Sequence, residues 1–142
     1  MSMVHSCEFE DLVDSFRSRV TEITLDEAKR RLIANRKAVL VDVREDHEWD
    51  KGHAKGAVHM GRGIIERDIV AKVPDKNTEL ILYCGGGYRS VLAAVNLQAM
   101  GYTKVRSLIG GFRIMKASGH PMEGGCGCGC PVSAVPIDLG RS

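Results

Sequence analysis

Tyr83-Cys84-Gly85-Gly86-Gly87-Tyr88-Arg89-Ser90 sets one cysteine ahead of three consecutive glycines and an arginine, a combination suited to nucleophilic chemistry. The run before it, residues 79–83, is short, largely apolar and strand-favouring. Residues 91–100 are apolar on nearly every face and stop at Gly101, a good helix C-cap. Cys84 therefore falls in a strand-to-helix junction. The first backbone N–H groups of a helix lack intrahelical partners there and, with the helix dipole, favour negative charge in front of them. Glycines at 85, 86 and 87 can take positive φ, which lets the backbone curl until several N–H groups converge on one point. With the charge of Arg89 added, such a cradle would stabilise a thiolate, the form of cysteine that attacks. The plainer alternative is a buried free cysteine ahead of an ordinary turn, and the glycines and arginine weigh against it. Ser90 could donate its hydroxyl to the cradle or cap the following helix, and the cap is the expected role.

The elements that must position this loop can be read from periodicity. Leu12, Val13, Phe16 and Val20 recur at helical spacing and predict an amphipathic helix over residues 8–20. Thr24 and Glu27 form a capping-box pattern ahead of Leu25, Ala28, Leu32 and Ile33, and Asn35 can end that second helix. Residues 38–43 are a continuous apolar, β-branched run closed by Asp42-Val43, as expected of a strand buried on both faces in a parallel sheet. Further strands are expected at 57–60, at 80–83 and around 105–108, with helical or turn material between them. The fold class is thus α/β, a mainly parallel central sheet with helices on both faces. Ligand sites of such sheets lie outside the carboxyl ends of the strands; Cys84 falls at one such end and Asp42-Val43-Arg44 at another. Residues 8–123 form one domain behind an N-terminal extension, 1–7. Residues 124–142 form a flexible glycine- and cysteine-rich tail, and no internal repeat is visible.

At 142 residues the chain suits one domain, and its 44% apolar and 27% charged composition is ordinary for a globular protein. A net charge of +2 and an aromatic share of 5% give no basis for nucleic-acid binding. Lys29-Arg30-Arg31 reads as a solvated helical face. No apolar stretch approaches bilayer length, and Met1 to Asp14 is acidic without a signal-type apolar region, so a cytoplasmic protein with no membrane partner is expected. Five cysteines, three of them crowded after Gly124, fit a reducing compartment better than a disulfide framework.

Four separated motifs resemble, in order, those of the single-domain rhodaneses, or thiosulfate sulfurtransferases, over residues 8–122. They are Val41-Asp42-Val43-Arg44-Glu45, Trp49-Asp50-Lys51-Gly52-His53-Ala54-Lys55-Gly56-Ala57, the Cys84 to Ser90 loop, and Gly110-Gly111-Phe112. Ala54, Lys55, Ile114 and Met115 depart from the family's usual residues, all outside the loop. The resemblance implies a rhodanese-like three-layer fold and a ping-pong sulfur transfer. Cys84 would take a sulfane sulfur from thiosulfate or a persulfide donor, become a persulfide, and pass the sulfur to a thiol or cyanide. No cofactor is implied beyond that transient persulfide. Gly85, Gly86, Gly87, Tyr88, Arg89 and Ser90 would form the substrate loop, with Arg89 orienting an anionic donor by a bidentate fork or by charge. A thioredoxin-like or cysteine-desulfurase protein is a candidate partner. Asp42 and Arg44 are implied to brace the site from a neighbouring strand end; the alternative for Arg44 is a surface pair with Glu45 or Glu48. His53 is implied to be a turn residue, since an ionised thiol needs no proton acceptor to attack sulfur. Arg62, between Gly61 and Gly63, could face the site and help bind an anionic donor, although an exposed loop arginine is the commoner case.

Two other functions compete with this one. Rhodanese-like phosphatases or arsenate reductases carry five residues between cysteine and arginine, whereas this chain has four, a tighter cradle suited to one sulfur atom rather than a phosphate. A non-catalytic sulfur-carrier or regulatory module is the second competitor, against which the intact cysteine and glycine-arginine loop argue. In the tail, Cys126, Cys128 and Cys130 could gather a soft metal with His120, relay sulfur from Cys84, or do neither. Their spacing is tighter than structural zinc sites use, and no metal is assigned.

Overall fold

The computed structural model describes residues 5–124, so the tail cysteines and the fates proposed for them lie outside the described residues. The chain order is α1 (Cys7–Arg17), β1 (Thr21–Ile23), α2 (Leu25–Ala34), β2 (Val39–Asp42), α3 (Asp46–Asp50), β3 (His53–Ala54), β4 (Val58–His59), α4 (Ile65–Lys72), β5 (Glu79–Tyr83), α5 (Arg89–Ala99), β6 (Lys104–Leu108), α6 (Gly111–Ala117) and β7 (Met122–Glu123). Five strands form a wholly parallel sheet in the order β1-β6-β5-β2-β4, and β3 pairs antiparallel with β7 apart from it.

β5 lies at the centre with all five residues buried, which is why it reads as an unbroken apolar run. Its side chains alternate between two cores. Leu80 and Leu82 join Val13 of α1, Ile65 and Ile69 of α4 and the apolar face of α5. Ile81 and Tyr83 face the other way, against Leu25 and Ala28 of α2 and Met115 of α6. Helices therefore cover both faces, giving the expected three layers. α5 is buried along most of its length, and its chain reverses at Met100 and Gly101, the latter at φ +105°.

The first helix ends at Arg17 rather than running to residue 20. Ser6 caps it by accepting the Phe9 N–H, and Val20 is buried through the turn that leads into β1 instead of on the helix. α2 occupies the expected span: Thr24 Oγ1 accepts the Glu27 N–H at 3.2 Å, and Asn35 closes it. The return bond of a capping box is absent, because the Glu27 carboxylate accepts from Arg30 at 2.7 Å and Arg31 at 2.8 Å. Register sets Asp42 beside Tyr83, and Leu82 beside Ser107, so β2, β5 and β6 end together and present the following residues along one sheet edge. No helix among the described residues is long and apolar enough to cross a membrane.

Candidate active site

Cys84 leaves the end of β5 and is almost wholly buried, at 1% exposure. Its Sγ accepts the Gly87 N–H at 3.1 Å and lies 3.6 Å from the Ser90 hydroxyl, which is itself 2.8 Å from Ser107 Oγ. One backbone N–H therefore reaches the sulfur where the glycines led us to expect several, and a pair of buried hydroxyls on α5 and β6 supplies the rest of the polar wall. Ser90 lies inside α5 and does not cap it: Tyr88 is the N-cap, without a side-chain bond, and Ser90 is turned to the sulfur. A helix N-terminus beside the sulfur, with one amide donor and a hydroxyl able to donate, suits a negatively charged sulfur.

The three loop glycines differ in their surroundings. Gly87 alone has positive φ, +97°, and a Cβ there would stand 3.1 Å from the Gly110 nitrogen. At Gly85 and Gly86 a Cβ would meet only the ends of long side chains, 3.1 Å from an Arg89 Nη at the first and 3.3 Å from an Arg113 Nη at the second. Gly111 brings α6 against the loop, since any Cβ on it would collide with the Cys84 carbonyl oxygen. That approach lets Phe112 N–H donate to Cys84 O at 2.7 Å and Arg113 N–H donate to Gly85 O at 3.0 Å.

Arg89 points to Glu48 of α3. Its two Nη atoms donate to the two carboxylate oxygens at 2.8 and 3.2 Å, and Glu48 Oε1 also accepts the Glu45 N–H at 2.9 Å. Burial pushes the Glu48 carboxyl up, but the Arg89 bonds, the Glu45 N–H and the charges of Arg89 and Arg44 outweigh it and hold the group at about 2. The same pair, acting against burial, raises Arg89 further above its ordinary range, so both partners are charged.

Asp42 and Arg44 are both buried, at 0% and 4% exposure, and bind each other. Arg44 Nε donates to both carboxylate oxygens at 3.1 Å and Nη2 to Oδ2 at 2.9 Å, while Nη2 also reaches Gly52 O at 2.7 Å. The surface pair of Arg44 with Glu45 or Glu48 does not form; Glu48 is taken by Arg89. The Arg44 guanidinium lies 4.0 Å from the Phe112 ring centroid, and Phe112 is the residue whose N–H holds the Cys84 carbonyl. Asp42 and Arg44 thus connect to the loop through α6. Below them Tyr83 OH accepts the Ala54 N–H at 3.0 Å, and burial with the Asp42 charge pushes that phenol well up.

His53 is stacked on Trp49, with centroids 3.4 Å apart and planes 2° from parallel, and its Nδ1 lies 3.1 Å from Trp49 O. His59 stacks on Trp49 too, at 4.7 Å, and its Nε2 lies 2.9 Å from Arg44 O. These imidazoles hold the turn after α3. Tyr88, the loop residue ahead of Arg89, packs its ring among His5 and Phe9, with Arg17 of α1 above it at 5.3 Å.

Residues 24–117, well over half of the chain, match the family described as Rhodanese-like domain. The chain belongs to the rhodanese-like family. Its sequence relatives include the Bacillus subtilis protein YrkF, named as a sulfur carrier, at 32% identity over 68% of this chain and 51% of that one. They also include the thiosulfate sulfurtransferase GlpE of Coxiella burnetii, at 32% over 63% of this chain and 81% of that one. The rhodanese-like domain thus spans about half of YrkF and most of GlpE. Among solved structures, a Rhodopseudomonas palustris protein of unknown function, suggested to be a tyrosine phosphatase, superposes with a TM-score of 0.70 at 26% identity, covering 87% of this chain and 99% of that one.

Of the residues read from the sequence of this rhodanese-like domain, Cys84, residues 85–90, Asp42 and Arg44 share one sheet edge. Arg62 is tied to that edge only by its backbone, its N–H donating to Val43 O at 3.0 Å, and its Nε is buried without a hydrogen-bond partner. His120 is half-buried with Nδ1 unpartnered, and burial, with the Lys29 charge, pushes its imidazole down. Three residues went unread: Glu48 beyond its naming as a partner for Arg44, Ser107 and Arg113. Glu48 and Ser107 meet the loop across 41 and 17 residues of chain, contacts with no local pattern. Arg113 carried one signal, its place directly after Gly110-Gly111-Phe112.

Proposed function

We propose that the domain is a sulfurtransferase in which Cys84 carries a persulfide. The observation that carries this reading is the Cys84 sulfur held by the Gly87 N–H at 3.1 Å, with the Ser90 hydroxyl at 3.6 Å, at the N-terminal end of α5. The thiolate attacks the outer sulfur of thiosulfate, a new S–S bond forms, the bond to the sulfonate breaks, and sulfite leaves with the electron pair. An acceptor thiolate then attacks the outer sulfur of the persulfide, and the Cys84 thiolate is released. Neither step needs an oxidant or a proton acceptor beside the sulfur, which agrees with the absorption of His53 into a stack with Trp49. A persulfide anion draws on the same amide and hydroxyl as the thiolate, so one cradle serves both halves of the cycle. Thiol acceptors, including a thioredoxin-like protein, and a cysteine-desulfurase donor fit this chemistry, and the sulfur-carrier and sulfurtransferase relatives support it.

The phosphatase alternative is favoured by the name of one structural neighbour and opposed by the loop, which has four residues between Cys84 and Arg89 and an Arg89 already bonded to Glu48. The test is turnover of thiosulfate with a thiol acceptor beside turnover of an aryl phosphate, in the intact chain and in Cys84→Ser. Thiosulfate turnover that exceeds phosphate turnover and vanishes in Cys84→Ser is expected; faster phosphate release would reverse the assignment.

A further inference from the structure

The loop is lined by two arginines, and the one with the family-motif position is already neutralised. Arg89 presents both Nη atoms to Glu48, so the pair carries no net charge, and an oxyanion arriving there must compete with a carboxylate for the same fork. Arg113 stands on the other side. Its backbone N–H donates to Gly85 O at 3.0 Å, which fixes its Cα against the loop, and its guanidinium extends over Gly86, an Nη lying 3.3 Å from where a Cβ would be. The side chain is exposed, and among the described residues no carboxylate lies within ion-pair distance of it. Gly86 adjoins Gly87, whose N–H holds the sulfur. Gly86 has an ordinary φ, and the Arg113 guanidinium occupies the space beside its Cα.

We infer that Arg113, rather than Arg89, binds the oxyanion end of an anionic sulfur donor and so selects such donors; this rests on the sulfur-transfer reading of Cys84. A guanidinium without a carboxylate partner among the described residues offers a full charge and five donors, enough to take a sulfonate bidentately while its outer sulfur faces the thiolate. In the reaction the Cys84–S bond forms, the donor S–S bond breaks, and the sulfite that departs carries the negative charge Arg113 was holding. Arg89 and Glu48 then act as a positioning pair that fixes the loop against α3.

Two measurements test this on the intact chain. The first compares alkylation of Cys84 by iodoacetate and by iodoacetamide, followed by peptide mass spectrometry, which reports attraction of an anion to that sulfur without any sulfur transfer. The second is kcat/KM for thiosulfate. Arg113→Glu should lower both the iodoacetate-to-iodoacetamide ratio and thiosulfate kcat/KM by about tenfold or more, the span expected for one charge-assisted contact. Arg113→Lys, which keeps the charge and loses the fork, should restore most of the ratio and less of kcat/KM. Values for Arg113→Glu within twofold of the unsubstituted chain in both assays would overturn the assignment. A ratio that falls in a chain that accepts no sulfur from thiosulfate would leave the anion site standing and overturn the sulfur-transfer reading instead.

Discussion

Glu48 decides what Arg89 can do. The carboxylate takes the whole fork of the arginine that the loop motif supplies, and it is held at about 2 against a usual value of 4.5. A carboxyl lowered on folding adds stability that is fully present above about pH 5 and is lost as pH falls toward 2, because acid protonates the folded form last. The pair is partly exposed, at 24% on each side, so solvent screening keeps its worth to about 1 kcal/mol. Thermal unfolding followed from pH 6 to pH 2 should therefore fall less steeply in Glu48→Gln than in the unsubstituted chain; parallel curves would show that the pair adds nothing on folding. At the same scale, the three loop glycines look alike in sequence and differ in surroundings. Positive φ, open to all three, is found at Gly87, whereas Gly85 and Gly86 lie against the guanidinium ends of Arg89 and Arg113.

Between elements the buried Asp42–Arg44 pair does the joining. It ties the end of β2 to the turn at Gly52 and, through the Phe112 ring, to the N-terminal end of α6 that carries the Cys84 and Gly85 carbonyls. Breaking such a pair from one side leaves a buried charge without its partner, a cost of about 3–5 kcal/mol. Arg44→Leu should lower the urea midpoint accordingly and loosen the loop; a shift of under about 1 kcal/mol would mean that the pair is braced by water or neighbours instead. How far the elements could be read follows from how local their causes are. α2 was readable to the residue because Thr24 and Asn35 close it, and β2 and β5 to within one residue at each end because strands buried on both faces carry unbroken apolar runs. β1, β3 and β7 were not. They hold two or three residues each, and what makes them strands is a partner far along the chain: Ile23 with Leu108, His53 with Glu123. Glu48 and Arg113 escaped for the same reason, since their contacts to the loop are made by the folded sheet edge and α6.

For the molecule as a whole, the sheet edge gathers chain segments from α3, β5, α5, β6 and α6 around one sulfur, and α1 completes the cover. The family match begins at residue 24, yet Val13 of α1 is wholly buried against the core that includes α5, and Phe9 and His5 pack on Tyr88 of the loop. α1 is therefore part of the folding unit although it lies outside the matched residues. Val13→Ala should cost about 1–3 kcal/mol by thermal or urea unfolding, the range for deleting buried methyl groups, and a chain shortened to begin after Arg17 should lose more; an unchanged midpoint in either would detach α1 from the core. The proposed sulfur-carrying role of Cys84 is tested most directly by intact mass spectrometry after incubation with thiosulfate. The chain should gain one sulfur atom, removable by a thiol, and Cys84→Ser should gain none. Addition to both proteins, or to neither, would contradict the assignment of the persulfide to Cys84.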